Sequence, residues 1–400
     1  MKPEAPDTGL RWDHIAILAL LSALTPLAVD LYLPAMPSIA RNIGSDLATV
    51  QLSLSVYLMT YASFQLFFGP VADSWGRQRT IYLGLALFTA GSLLCARAPD
   101  ITVLLSGRFV QGVGGAAVAV SVPALLRDRL SGDDFARSFS LIMLTMTMAP
   151  LIAPLIGGWI LSFAGWRPIF ELLALIALFA AAGFRWRIGS HGNHQPTAFS
   201  PANSLRAYGA LLKHPGIRGN VISGALGFAG MLCFLTASPG VYIEAFGIAP
   251  EHYGLLFGIN ILLMMVLTSL NARWVKRLGF HRTTRWGLYQ QAFGATLLLV
   301  ISQWDTAPLA AVLVGCALYI SVLSVIGSGL LTGILQVSDA HSGSAAALTG
   351  ATRFGAGAVA GIVVSAMHSE NHAAMCLVMA ICGLAALAVY ELKGIKKHSP

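Results

Sequence analysis

Charge is scarce in this chain: of 400 residues only 10% are Asp, Glu, Lys or Arg and 56% are hydrophobic, whereas an average soluble domain is roughly a quarter charged. With a mean hydropathy of +0.72, the composition excludes an ordinary soluble globular protein. Cysteine is also sparse. Cys95, Cys233, Cys316, Cys376 and Cys382 all fall within apolar runs and form no CxxC pair, which argues for packing and against a disulfide framework or a zinc site. No Gly-Lys dipeptide occurs anywhere, so the phosphate-binding loop of an ATP-driven pump is missing. GxSxG and HExxH are absent as well, which removes two common enzyme constellations. No metal, nucleotide or prosthetic cofactor is expected.

What the chain has in abundance is long apolar runs. A helix needs about 20 apolar residues to cross roughly 30 Å of hydrocarbon, and twelve such runs are present, over 14–36, 49–72, 79–98, 101–126, 136–163, 167–187, 216–240, 252–275, 284–302, 307–335, 343–367 and 372–392. The expected fold is therefore all-α, with twelve transmembrane helices. The first run is longer than a signal-peptide core and lacks a small-residue cleavage site behind it, so it is expected to remain as a membrane helix.

The net charge of +8 could suggest a nucleic-acid partner, but its distribution points to membrane orientation instead. Twenty of the 25 basic residues fall in alternate loops or at the termini, among them Arg77, Arg79, Arg127, Arg129, Arg185, Arg187, Arg273 and Lys276. The intervening loops hold only Arg41, Arg97 and Arg167, and Arg108 and Arg353 lie within spans. The positive-inside rule then places both termini in the cytoplasm, as an even number of spans requires.

The longest polar stretch, "IGSHGNHQPTAFSPANS" at 188–204, follows the sixth span. It divides the chain into a six-helix bundle over 1–187, a flexible cytoplasmic linker over 188–215 and a second bundle over 216–400. His191 and His194 in it are read as linker residues, not metal ligands. The halves also echo each other, since "SWGRQRT" (74–80) follows the second span and "RLGFHRT" (277–283) follows the eighth. A parallel repeat of this kind puts a binding site between the halves near the membrane midplane, with alternating access by rocking.

One buried carboxylate and one buried cation stand out. Asp30 sits within "PLAVDLYLPAMP" (26–37), six residues before Met36, and Arg108 lies seven residues after Ile101. At 1.5 Å per residue both fall roughly 9–10 Å below the outer surface. An isolated ionised group there costs at least about 2.5–3.5 kcal/mol, so such residues face the bundle interior or water, usually near a partner. Arg353 lies near the middle of the eleventh span, with no acidic partner in its own helix. It could hold an anionic or polar substrate group, or pack on carbonyls. Tyr57, Tyr61 and Phe64 are spaced four and three apart, on one helix face, and with Tyr32 they could line a cavity. Met143, Met146 and Met148 would suit an adaptable wall. Glu171 and Glu244 lie at outer helix ends.

"GPVADSWGRQRT" (69–80) resembles the loop motif of the major facilitator superfamily between the second and third helices. In this motif Gly69 and Gly76 would permit a tight turn, Asp73 would meet the positive end of a neighbouring helix, and Arg77 would pair with a carboxylate. The resemblance makes Asp128 in "RDRL" part of that set, a conformational latch that holds the halves in the outward-facing state. "LLSGRFVQGVGGAA" (104–117) resembles the family's fourth-helix motif, with Arg108 and Gln111 in register. "APLIAPLIGGWI" (149–160) resembles its exporter motif through Pro154, Gly157 and Gly158, with Ala153 in place of the first Gly. Together with 26–37, the stretches 238–260 and 342–357 look like the bicyclomycin-resistance branch of the drug:proton antiporters.

That resemblance implies two six-helix bundles and a monomer in the bacterial inner membrane, exporting small toxic compounds of the bicyclomycin or chloramphenicol kind in exchange for protons. Asp30 would load a proton when the cavity opens outward and release it inward, with Arg108 or a cationic drug switching its protonation. The expected partners are a small-molecule drug, protons and the lipid bilayer, not nucleic acid. The competing reading is a proton-coupled importer, or a specific exporter of a nucleoside, amino acid or short peptide, because the fold serves both directions.

Overall fold

The structure is a computed structural model that describes residues 12–130, 132–188, 201–338, 342–368 and 371–394. In hydrocarbon each backbone N–H and C=O must be satisfied within its own segment, which leaves the helix as the only solution for apolar runs of this length. The first span is a broken unit: α1 (Trp12–Asp30), a 3-10 turn (Leu33–Ala35) and α2 (Met36–Ile43). It runs past the expected end at Met36, so Asp30 lies deeper than the helix arithmetic placed it. The next five spans are α3 (Leu47–Trp75), α4 (Arg77–Ala96), α5 (Ile101–Arg129), α6 (Gly132–Ala164) and α7 (Arg167–Arg187).

Helix α8 (Pro201–Lys213) is followed by α9 (Pro215–Pro239), which continues into a π-helical turn (Gly240–Ala245). Then come α10 (Pro250–Leu278), α11 (Phe280–Ile301), α12 (Leu309–Ile320) and α13 (Leu323–Val337), and finally α14 (Ser342–Ala366) and α15 (Ala373–Lys393). Helices α12 and α13 are two pieces of one span, which gives six spans in the second half. Among the described residues eleven stretches are long and apolar enough to cross a membrane. The twelfth is α11, whose first turns carry His281, Arg282 and Arg285 and so dilute its apolar signal.

Local chemistry sets the helix ends. Asp46 accepts from the Thr49 amide at 2.6 Å and Asp100 from the Val103 amide at 3.0 Å, which starts α3 and α5 as N-caps. The matching loops of the two halves turn on glycine: Gly76 has φ 103° and ψ 135°, and Gly279 has φ 77° and ψ 155°, a region that favours glycine. Gly69 takes no part in that turn. It lies inside α3, which runs on through Pro70 to Trp75, so the loop motif contributes one turn glycine, not two.

The expected flexible linker is half helix. Leu211 of α8 is buried with Ile217, Val221, Ile334, Ala345 and Leu348 of the second bundle, because an amphipathic segment beside apolar helix ends gains by covering them. His191 and His194 fall outside the described residues. All five cysteines are buried free thiols.

The bundles meet along α3 with α14 and α6 with α10. At the face away from the basic loops α6 and α10 close against each other, beside a cavity of about 520 Å3 between Leu47 and Gln51 of α3 and Val241, Ser365 and Met375 of the second half. A methyl group on Gly158 would lie 2.7 Å from the Pro250 carbonyl oxygen, and one on Gly254 2.7 Å from the Leu155 amide nitrogen. Arg41 and Glu244 add a 2.6 Å ion pair across the halves. On the basic-loop face a cavity of about 610 Å3 remains, lined by Gln65 and Asp73 of α3, Arg127 of α5, Phe139 of α6, Tyr208 of α8 and Gly350 of α14.

Candidate functional site

Asp30 is the last residue of α1, where the helix gives way to the turn before Pro34. Its side chain is 3% exposed and Oδ1 has no hydrogen-bond partner. Arg108 projects from α5 to the same level, fully buried, and Nη1 donates to the Ala28 carbonyl at 3.0 Å. The sequence expectation of neighbouring depths therefore agrees with the geometry, but among the described residues the two form no ion pair. Arg108 is held by aromatic faces: its guanidinium carbon lies 4.3 Å from the Tyr32 ring centre and 4.5 Å from that of Tyr57. A desolvated cation on such faces gains about 2 kcal/mol or more.

The guanidinium is also fixed from its own helix. Nη1 donates to Gln111 Oε1, Gln111 Nε2 donates to Ser92 Oγ at 2.8 Å, and Ser92 donates to the Phe88 carbonyl at 2.7 Å. Nε and Nη2 of Arg108 keep no partner. The arrangement thus contains a buried carboxyl with an unpaired oxygen and a buried cation with two unspent donor groups. The two groups share a level without meeting, and a conformational change that brought them together would favour the ionised carboxyl.

Tyr32 and Tyr57 are both fully buried and give their faces to Arg108, not to the cavity expected of them. Tyr57 stacks on Tyr61 at 6.1 Å and 13°, and Tyr61 meets Phe354 of α14 edge-on at 4.9 Å and 80°. Phe354 in turn meets Phe228 of α9 at 5.5 Å. One row of rings therefore runs from Arg108 across the seam into the second half. Phe64, at the far edge of its helical stripe, turns instead toward Phe68 and Phe109, and Phe109 is exposed on the outside of the bundle. Met143 is exposed and Met146 packs against the core.

Arg353 donates from Nη2 to the Gly327 carbonyl at 3.1 Å, and its Nε has no partner. Arg77 bonds both Asp73, at 3.1 Å, and Asp128; all three belong to the first bundle. Gly69 opens onto the cavity. Pro154 is buried, and a methyl group on Gly157 would collide with the Leu31 carbonyl oxygen. Glu171 is exposed. Residues that sequence reasoning missed are Phe354, Phe228, Gln65, and Tyr253, which bonds Ser238 at 2.8 Å and lies within electrostatic reach of Asp30 from the other half. No spacing rule links them, since they converge only when two bundles dock.

The chain is 32% identical over 379 residues to the "Bicyclomycin resistance protein homolog" of Haemophilus influenzae, covering 94% of each protein. It is 26% identical to the "Chloramphenicol resistance protein" of Pseudomonas aeruginosa, covering 81% of this chain and 78% of that one. In fold it superimposes on the partially occluded inward-open xylose transporter XylE of E. coli with a TM-score of 0.73, at 14% identity, over 97% of this chain and 99% of the other. The profile of the Major Facilitator Superfamily matches residues 18–362, and with a twelve-span, two-bundle architecture around a seam cavity, this chain belongs to that superfamily.

Proposed function

We propose that this membrane protein exports small toxic compounds, of the bicyclomycin or chloramphenicol kind, in exchange for protons by alternating access. The observation that carries the coupling is the Asp30 carboxyl, buried with an unpartnered oxygen at the level of a cation that is held by other groups. Such a carboxyl holds a proton in one state and pairs with Arg108 or substrate in another. With the basic loops assigned to the cytoplasm, the cavity faces inward and the closed seam faces out, so the described state is the one that loads drug. Tyr61, in the middle of the ring row between Tyr57 and Phe354, contacts substrate.

The fifth-span motif acts on the outer side: Gly158 brings its backbone against that of Pro250 across the seam, while Gly157 sets α6 against Leu31 within the first bundle. Arg77, Asp73 and Asp128 preassemble on the first bundle as the half of a latch that engages when the cytoplasmic mouth closes. Both termini lie in the cytoplasm of a bacterial cell, and the monomer is the working unit.

The test is proton movement in everted vesicles. Bicyclomycin or chloramphenicol should dissipate the pH gradient with the wild type and fail to do so with Asp30→Asn, at equal protein in the membrane. Unchanged dissipation by the mutant would remove Asp30 from coupling. No response by the wild type to any drug would favour import, or export of one metabolite.

A further inference from the structure

Arg353 is a second intramembrane cation, and the ring row does not absorb it. Its seat is made by small residues: a methyl group on Gly327 would lie 3.1 Å from Nη2, and one on Gly224 3.7 Å from Nε. Two helices thus give up side chains to admit a guanidinium, yet no carboxylate meets it. The acidic residues described in the second half lie elsewhere: Glu244 in the π turn, Glu251 in the first turn of α10, Asp305 between α11 and α12, and Glu391 at the end of α15. Among the described residues Arg353 forms no ion pair, and one carbonyl is its recorded acceptor.

Arg353 does not itself line the cavity, but it lies one turn from its wall, with its guanidinium between Gly224 of α9 and Gly327 of α13. Ala346 and Gly350 line the cavity, and Arg353 follows at spacings of seven and three, on the same stripe of α14 one turn deeper. Beside it in the chain, Phe354 joins Tyr61 and Phe228 at the seam. Asp30 of the first bundle does not offset this charge, since among the described residues it forms no ion pair with Arg353. Among the described residues Arg353 is therefore a positive charge without a carboxylate partner, close to the aromatic surfaces of the seam.

We infer that Arg353 is a charge filter: the site prefers aromatic compounds that bear an anionic or strongly accepting group and discriminates against lipophilic cations. This deepens, and rests on, the efflux reading above. Aromatic rings alone would welcome a cation, and an unpaired guanidinium at the same site opposes that welcome while offering a fork of donors to a carboxylate.

Equilibrium binding to the detergent-purified protein at neutral pH tests the idea, with nalidixate, chloramphenicol and tetraphenylphosphonium as probes. Nalidixate should bind more tightly than tetraphenylphosphonium, and Arg353→Gln should shrink that ratio by about tenfold or more, the equivalent of 1.4 kcal/mol. Arg353→Lys, which keeps the charge, should retain most of the preference. A wild type that prefers the cation, or a ratio unchanged in Arg353→Gln, overturns the inference. If the Gln variant does not fold, the wild-type ratio and the Lys variant still decide. Binding requires neither protons nor flux: a charge preference without drug-driven proton movement would defeat the efflux reading alone, and proton-coupled flux without the preference would defeat this inference alone. No saturable binding of any probe would defeat both.

Discussion

A guanidinium in hydrocarbon needs a counter-ion or polarisable surfaces around it, and Arg108 has the second. Two tyrosine faces at 4.3 and 4.5 Å spread its charge, while Gln111 and the Ala28 carbonyl take Nη1. The planar group is what makes this possible. Lysine would keep the charge but lose the stacking and the forked donors. Arg108→Lys should therefore reach the membrane folded, with drug-stimulated proton movement in everted vesicles reduced about thirtyfold, the equivalent of roughly 2 kcal/mol of lost cation–π and hydrogen-bond energy. Wild-type activity in that variant would show that charge alone suffices.

At the scale of a helix, the glycines separate by what surrounds them. Gly69 has nothing within 4 Å of an added methyl group, whereas one on Gly84 would lie 2.8 Å from the Gly114 carbonyl oxygen on the facing helix. Gly69→Ala should raise stability by about 0.5–1 kcal/mol through helix propensity, and Gly84→Ala should lower it by about 1–3 kcal/mol through overpacking; thermal melting of purified protein reads both. Helix starts offer a second test. The Thr49 amide, followed by its hydroxyl, holds the Asp46 carboxyl below the usual carboxylate range. A depressed folded value means that the cap's contribution is complete above the unfolded pKa of about 3.9 and is lost as pH falls through the lower folded value. Asp46→Asn should keep the cap and lose that acid dependence. Asp46→Ala should cost about 1 kcal/mol at neutral pH.

Across the whole molecule, conformation is a contest between two seams. The closed one is mostly backbone on backbone, helped by the exposed Arg41–Glu244 pair, worth about 0–1 kcal/mol by its exposure. Glu244→Arg should therefore favour opening by up to about fivefold, and Arg41→Glu with Glu244→Arg should restore the balance. The reporter is a cysteine placed at Ser55, which is 1% exposed and packs against Gly361 of α14 across the seam. Its labelling by a membrane-impermeant thiol reagent gives the opening rate against a low background, because all five native cysteines are buried. Equal labelling in all three proteins would remove the ion pair from gating.

Length, hydropathy and repeated loop motifs determined the twelve spans and the two halves, because a membrane permits few ways to satisfy a backbone. That Asp30 and Arg108 share a level followed from counting along helices, although the first span runs on to Ile43 and sets Asp30 deeper than the count, and the buried thiols followed from their apolar setting. The amphipathic α8 was legible in principle, but Gly, Pro and Ser upstream of it dominated the reading of 188–215. Docking decided what remained: that Tyr32 and Tyr57 enclose Arg108, that Phe64 turns outward while Tyr61 reaches Phe354, and that Gly69 stays helical. A stripe of aromatics specifies a face of a helix, and what stands opposite that face depends on a partner hundreds of residues away in the chain. Intramembrane charges could be recognised from their cost alone, but whether each had a partner was a property of three-dimensional packing.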